Sequence, residues 1–184
     1  MPNDDRSVTC VALPSESRVS RIYETMHLAD AFEVRLPHGA ITDPESLARF
    51  ALSQQAPWVA GLMRLRDTLV AGFGLKTAKQ LQDPATTGGD KRIHIFKVYE
   101  TGTHEVLLGE DDKHLDFRVS VLHRTRTVAA QSASYVTVST VVHCHNRLGR
   151  FYILLIAPFH RLIVQSMLRR AARVGWPTGT PSST

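Results

Sequence analysis

Two histidines, His143 and His145, stand two residues apart in a run of alternating residues that predicts a β-strand. Residues i and i+2 of a strand face the same side, so both imidazole rings point to one face. This spacing suits a transition metal, with a third ligand supplied by His94, His123 or His160. Because no cysteine-rich or His-Glu-x-x-His pattern accompanies the pair, we expect hydrogen bonds into the following turn, no metal and no cofactor.

A dense acidic group, Glu110–Asp112, precedes Asp116 and Arg118, which share one face of another predicted strand. Clustered carboxylates act as general acid and base when burial separates their pKa values. We expect instead that the turn acids are solvated and that Asp116 pairs with an arginine of a neighbouring element. The enzymatic alternative assigns acid/base chemistry to Asp116 or His143 and lets Arg118 hold an anionic intermediate.

A third candidate site is the segment Asn146-Arg147-Leu148-Gly149-Arg150, which has the form of a loop entering a helix. Free N–H groups at a helix start and two fork-shaped guanidinium groups suit phosphate or carboxylate. Arg147 and Arg150 are therefore candidate anion-binding residues. The alternative is a helix capped by Asn146, with both arginines solvated.

The charge distribution is strongly asymmetric along the chain. All 17 acidic residues precede Phe117, whereas the residues from Phe117 onward contain nine arginines and no lysine. We expect ion pairs inside the fold to neutralise most of this asymmetry and to leave Arg161, Arg169 and Arg173 as an exposed helix face. That face could bind nucleic acid, anionic lipid or an acidic partner. We do not expect nucleic acid, because the basic residues are not interleaved with aromatic ones.

The overall composition indicates one soluble domain. The chain has 184 residues, 43% of them hydrophobic and 21% charged, which suffices for a sizeable core. Cys10 and Cys144 predict reduced thiols in a cytoplasmic protein rather than a disulfide framework. The N-terminus lacks the pattern of a secretory leader, and the apolar run Phe151–Phe159 is too short to cross a bilayer. Whether the protein forms homo-oligomers is left open.

The first half of the chain predicts one strand and two helices. Alternating residues predict a strand from Ala31 that ends at Pro37. Asp43-Pro44-Glu45 has the N-cap, first-turn proline and first-turn acid of a helix, which we extend to about Leu52. Apolar residues at helical spacing predict a second helix from Pro57 to Phe73, and residues 75–90 read as a long loop.

The second half predicts four strands and a long helix. The strands fall at about 92–100, 104–109, 113–123 and 134–146, and turn signals separate the first three. Pro158 either kinks a helix that begins near Leu148 or starts its main segment. The apolar ridge of that helix is predicted to be Phe159, Ile163, Met167, Ala171 and Val174.

This order of elements predicts an α+β fold. A curved antiparallel sheet of about five strands would wrap on the long C-terminal helix, because a sheet must cover its apolar face. We expect residues 1–28 to form a partly ordered arm, residues 29–175 a single domain, and residues 176–184 a flexible tail.

Three blocks, residues 57–76, 105–121 and 141–171, resemble in order the bacterial family called domain of unknown function 2867. The resemblance implies a fold similar to the START/Bet v 1 helix-grip group, which holds apolar ligands between a curved sheet and its C-terminal helix. It implies no catalytic residues, since no activity is attached to the family. No glycine-rich strand–helix turn precedes these blocks, so we expect a stand-alone form rather than one fused behind a nucleotide-binding domain.

The sequence and the resemblance together predict a non-enzymatic module that binds a small apolar or amphipathic molecule, with or without an acidic group. An enzyme using the same cavity and an arginine-rich surface for an acidic partner remain alternatives. The predicted pocket consists of large apolar and aromatic residues: Trp58, Leu62, Phe96, Phe117, Tyr135, Phe151, Phe159 and Ile163.

Overall fold

A computed structural model describes residues 7–61, 91–128 and 131–179 of the chain. These residues form one antiparallel sheet of seven strands in the order β1-β2-β7-β6-β5-β4-β3. The strands are β1 Val8–Val11, β2 Leu28–Arg35, β3 Arg92–Ile93, β4 Phe96–Thr101, β5 Glu105–Asp111, β6 Leu115–Val128 and β7 Gln131–Cys144. The helices are α1 Pro44–Ser53 and α2 Arg147–Val174, and a short 3-10 turn covers Arg18–Arg21.

The predicted α+β architecture, a curved antiparallel sheet with a long C-terminal helix, is confirmed, but the count of about five strands is wrong. One additional strand, β1, lies within the predicted arm and pairs with β2. The other arises because the predicted strand 92–100 is divided at His94, whose φ of 56° reverses the chain between β3 and β4. A left-handed histidine in a run of β-forming residues leaves no periodic signal.

The two faces of the sheet are covered differently. The inner face packs against α1 and α2 and carries the main core, which includes Phe32, Val121, Val138 and Leu168. The outer face is covered by residues 13–27, whose Val19 is fully buried against Leu107 and Val141. Because side chains alternate along a strand, each residue of β6 and β7 belongs to one of these two environments.

Helix α1 begins as its sequence predicts. The carboxylate of Asp43 accepts a hydrogen bond of 2.8 Å from the backbone N–H of Ser46, and Pro44 occupies the first turn. Glu45 accepts hydrogen bonds from Lys91 and Thr101, which tie the helix start to the β3–β4 hairpin. These contacts hold α1 on the inner face beside α2.

Helix α2 is continuous, with Pro158 in its interior, so the sequence alternative in which the helix begins near Leu148 applies. Its buried residues include Ile153, Val164, Leu168 and Ala171. Of the five residues of the predicted apolar ridge, Met167 and Ala171 are buried and Ile163 is partly buried, but Phe159 and Val174 are exposed, so the ridge is wrong at those two positions. The contact with the sheet selects the buried face, and periodicity alone does not settle it.

The segments that flank the domain also pack on it. Trp176, which is only 5% exposed, stacks on Phe50 at 5.3 Å between ring centroids, and Thr178 forms a β-bridge with Ala40. Residues 176–179 thus belong to the fold rather than to a tail. Of the second predicted helix, residues 57–61 are helical; the rest of it and the predicted 75–90 loop lie outside the described residues.

Candidate ligand-binding cavity

A cavity of about 250 Å³ lies between the inner face of the sheet and α2. Its apolar lining comes from the strands, from α2 and from the segment after α1: Leu28, Val59, Ile95, Phe96, Leu115, Phe117, Val119, Val142, Tyr152, Ile153, Ile156, Ala157 and Ile163. A mostly apolar concave site with a few polar groups is the usual form of a small-molecule site.

The polar lining of the cavity consists of Gln55, Glu110, Asp112, Thr140 and His160. An Arg92 nitrogen lies 3.3 Å from a Glu110 carboxylate oxygen. Both of those side chains are largely buried, so the Glu110 carboxylate at the cavity wall has an ion-pair partner inside the protein.

His160 connects the cavity wall to the sheet. Its Nε2 lies 3.4 Å from Oδ1 of Asp30 on β2, whose side chain is only 6% exposed. Arg161 Nε lies 3.5 Å from the other carboxylate oxygen of Asp30. Within the described residues neither oxygen has a partner with hydrogen-bond geometry, so Arg161 contacts Asp30 as an ion pair and His160 lies beside the same carboxylate. Asp30 therefore anchors α2 to β2 next to the cavity.

Close strand packing positions the aromatic part of the lining. Phe96 and Phe117 meet edge to face with centroids 5.8 Å apart. At Gly109, between their strands, a Cβ atom would lie 2.2 Å from the carbonyl oxygen of Phe117. Only glycine allows β5 to approach the backbone of β6 at Phe117 this closely.

Of the eight residues predicted for the pocket, Phe96, Phe117 and Ile163 line the cavity. Leu62 lies outside the described residues. The structure brings in residues that the sequence reasoning missed, above all Ile156, Ala157 and His160. The helical periodicity of α2 places these residues on one side of the helix. It does not indicate that this side faces the sheet, so the sequence alone could not assign them to the cavity.

The other four predicted pocket residues lie elsewhere. Trp58, Phe151 and Phe159 are exposed large apolar residues. Tyr135 lies near the far end of β7, where the Arg126 guanidinium stacks 4.9 Å from its ring centroid. The prediction selected residues for their size, whereas side-chain direction decides which of them face the cavity.

The candidate catalytic residues Asp116, Arg118 and His143 lie together, but on the outer face. Asp116 pairs with His143 in the register of β6 and β7, and Arg118 pairs with Val141. None of the three lines the cavity, because their strand positions have the opposite parity to Phe117 and Val142. The enzymatic alternative required these three residues to line the cavity, so it is not supported with the residues that it named.

Arg118 is the centre of an ion-pair and stacking network on that face. Its guanidinium lies 2.7 Å from an Asp111 carboxylate oxygen and 3.6 Å from the ring centroid of Tyr99. Tyr99 donates a hydrogen bond of 2.7 Å to the other oxygen of Asp111. Burial works to raise the pKa of Asp111, but the hydrogen bonds from Arg118 and Tyr99 outweigh it and lower the pKa. Asp111 thus remains about half exposed, as expected for a turn acid, but it is also held by Arg118 and Tyr99.

The paired histidines are also engaged in this network. Nδ1 of His143 lies 2.8 Å from the backbone carbonyl of Thr25, and His145 Nε2 lies 3.0 Å from Asp116. The His143 ring packs against Tyr23 and His145 at centroid distances of 5.6 and 5.5 Å. Burial raises the pKa of Tyr23 to about 12, against the opposing effect of Arg118. Within the described residues no group of three or more His, Cys, Asp or Glu is placed to hold a metal.

Residues 22–167 match the family described as protein of unknown function, DUF2867. The chain belongs to the DUF2867 family. No curated protein and no solved structure matches it. The matched range of this DUF2867 protein includes the strands β2 to β7 and most of α2, and therefore all of the cavity lining.

The helix entry of the DUF2867 protein is capped by its own side chain. Oδ1 of Asn146 accepts a hydrogen bond of 3.0 Å from the N–H of Gly149, and Arg147 and Arg150 are exposed beside it. At Gly149 a Cβ atom would lie 2.3 Å from the carbonyl oxygen of His114, so the helix start presses on the β5–β6 hairpin. The anion site at Arg147 and Arg150 stays a prediction, and neither residue lines the cavity.

A larger groove of about 480 Å³ lies at the other end of β5 and β6. Its lining is mainly polar and charged and includes Arg18, Glu105 and Arg124. Glu105 is buried there and accepts hydrogen bonds of 2.5 Å from both Ser17 and Ser120. Because Arg124 is paired with Glu16 and Glu105 is held by Ser17 and Ser120, this mainly polar groove is a weaker candidate for a ligand than the apolar cavity.

Proposed function

We propose that this DUF2867 protein binds a small apolar or amphipathic molecule between the inner face of its sheet and α2. The observation that carries the proposal is the 250 Å³ cavity, whose walls are apolar side chains from both layers. Burial of apolar ligand surface provides about 25 cal/mol per Å², so a molecule of modest size gains useful affinity there.

The size and lining of the cavity narrow the class of ligand. Its volume falls just below the range of about 300–1,000 Å³ common for ligand sites, which favours a small molecule over a long-chain lipid. Glu110 and Asp112 at the wall favour a hydroxyl, amine or other donor at the polar end of the ligand. An acidic group, which the sequence analysis allowed on the ligand, would lie beside two carboxylates, so we favour a neutral ligand.

Filling the cavity tests the proposal. Ala157 lies on the α2 wall, and the substitution Ala157→Phe places a ring where the ligand would lie. We expect the affinity for the neutral apolar fluorophore N-phenyl-1-naphthylamine, measured by fluorescence titration, to fall at least ~10-fold, about 1.4 kcal/mol. The matched control is Ala29→Phe on an exposed strand position, which should leave the affinity unchanged.

Native mass spectrometry of freshly purified protein supplies the second measurement. A small molecule carried by the wild-type protein and by Ala29→Phe, but absent from Ala157→Phe, would support the proposal and report the ligand mass. Equal fluorophore affinity in all three proteins, or no fluorophore binding in any of them, would contradict it.

A further inference from the structure

Helix α2 exposes an apolar stripe on the side away from the sheet. The exposed stripe consists of Phe151, Leu154, Leu155, Phe159 and Leu162, and Leu154 and Phe151 are 77% and 65% exposed. Spacings of three and four residues place all five on one side of the helix. Contiguous exposed apolar surface of this kind marks a site of interaction with a protein, ligand or membrane.

The stripe is suited to lie on a membrane and not to cross one. By length and composition α2 is apolar enough to span, with a mean hydropathy of 1.5 over 18 residues. Its other side, however, is buried on the sheet through Val164, Leu168 and Ala171. The stripe covers residues 151–162, about 18 Å of helix, against the ~30 Å of a bilayer core.

Exposed arginines surround the stripe. Arg147 and Arg150 precede it, Arg161 lies on its flank, and Arg169, Arg170 and Arg173 continue beyond its C-terminal end. The helix contains no Asp, Glu or Lys. Among the described residues, the carboxylate within ion-pair distance of this set is Asp30, beside Arg161. The surface therefore combines an apolar centre with a positive border.

We propose that this surface docks the protein on an anionic lipid bilayer. Phe151, Leu154 and Leu155 would enter the boundary between headgroups and acyl chains, and the arginines would meet lipid phosphates. Arginine side chains are long enough to lay their methylenes along the apolar layer while their guanidinium groups stay at the headgroups. An apolar protein partner alone would leave the arginine border without an anionic counterpart.

Charge argues against a second copy of this chain on the same surface. A two-fold contact through the stripe would bring the arginines of one α2 towards those of the other, with no acidic residue on either helix. Like charges brought together in this way oppose association. The docking surface goes beyond the proposed function and does not depend on it, because the stripe and its arginines need no ligand in the cavity.

Co-sedimentation with vesicles tests the docking surface. We expect the full-length protein to bind vesicles of phosphatidylcholine mixed with phosphatidylglycerol and to bind pure phosphatidylcholine vesicles much less. The bound fraction should fall as salt increases, since screening weakens attraction between exposed charges. Failure to bind the anionic vesicles, or equal binding to both kinds, would overturn the proposal.

Paired variants locate the surface. Each arginine near an anionic membrane contributes about 1 kcal/mol, roughly fivefold, so Arg169→Glu with Arg173→Glu should reduce partitioning ~25-fold or more. Phe151→Ser with Leu154→Ser should reduce it ~10-fold or more by removing the inserted apolar area. The controls are Arg21→Glu and Ile22→Ser on the segment that covers the outer face, where Ile22 is 37% exposed.

The controls should bind anionic vesicles as the wild-type protein does, and circular dichroism should show all variants folded. Equal losses in the stripe variants and the controls would overturn the assignment to α2. A concentration-dependent dimer in gel filtration that Phe151→Ser with Leu154→Ser disperses would overturn it in favour of a second copy. The stripe variants should still bind the fluorophore. Unchanged fluorophore affinity would show that their loss of vesicle binding is independent of the cavity proposal.

Discussion

The two faces of the sheet differ in what their side chains can do. The outer face holds residue types that often carry chemistry, such as Asp116, Arg118 and His143, yet each of these groups already has a partner on the sheet or in the segment that covers it. The inner face is mostly apolar, and it holds the cavity. In this protein, residues whose types and spacing could do chemistry form a polar network instead of a site. A binding site also requires a cavity for the ligand.

The difference has an energetic basis. Charges taken out of water are stable only when they are paired and hydrogen-bonded. The polar groups of the outer face therefore form ion pairs and hydrogen bonds within the protein. Apolar walls make no such demand, and an apolar cavity can remain open. Substitutions in the polar networks should consequently change the stability of the protein and leave ligand affinity unchanged. Three substitutions test this.

The largest effect is expected at Glu105, under the outer face. Its buried carboxylate accepts hydrogen bonds from Ser17, Ser120 and the backbone N–H of Arg18. Glu105→Ala leaves these donors without their acceptor and should lower the free energy of unfolding by about 3 kcal/mol. Urea denaturation measures this change, and fluorophore affinity should stay at the wild-type value.

The control for that substitution is Glu100→Ala. Glu100 pairs with Arg18, but both side chains are about half exposed, so the loss should stay below about 1 kcal/mol. A similar loss at both positions would mean that burial is not what makes the outer network important.

A smaller effect is expected at Arg118, whose side chain is largely buried while that of Asp111 is half exposed. Arg118→Met keeps most of the apolar bulk but removes the charge and the stack on Tyr99, and it should cost about 2 kcal/mol. The pKa of Asp111 should rise, because the hydrogen bond from Arg118 helps to lower it. Carboxyl NMR titration checks the pKa, and the exposed Arg170→Met should change neither quantity. Unchanged stability would show that the network is dispensable.

The smallest effect concerns pH and His123. Burial, followed by the nearby His104, lowers the pKa of His123. The unfolded chain therefore takes up a proton near pH 6.5 more readily than the folded one. The stability contributed by neutral His123 is full above that pH and is lost as the pH falls below it.

Thermal unfolding at pH 7.5 and 5.5 measures this dependence. His123→Phe should reduce the difference in stability between the two pH values, whereas the exposed His38→Phe should not. A pH dependence that is the same in the wild-type protein and in His123→Phe would assign it to other groups, such as His27, whose pKa burial also lowers.

Local rules predicted much of this fold. Asp43 and Pro44 start α1 where the sequence places its cap, and β6 and β7 place Asp116 and Arg118 on one face as their alternation requires. The expectation that ion pairs absorb much of the charge asymmetry is supported on the strands, where Arg124 lies 2.8 Å from Glu16 and Arg126 lies 2.7 Å from Glu33.

Other features had no local signal. β1 is a strand because it finds an unpaired edge of β2, and His94 reverses the chain through a backbone angle that residue type does not announce. For the cavity, sequence reasoning identified Phe96, Phe117 and Ile163 but missed His160, which faces it through the orientation of α2.

By itself, the sequence determined α1, α2 and most of the strands, the antiparallel pairing through short turns and the amphipathic nature of α2, because these depend on neighbours within a few residues. Only the tertiary structure decided which face of the sheet the helix covers. That choice determines which side chains line the cavity and which pack against one another. It also left Phe151, Leu154 and Leu155 outside. That choice depends on contacts between residues more than 100 positions apart, such as Asp30 with His160, which no local pattern contains.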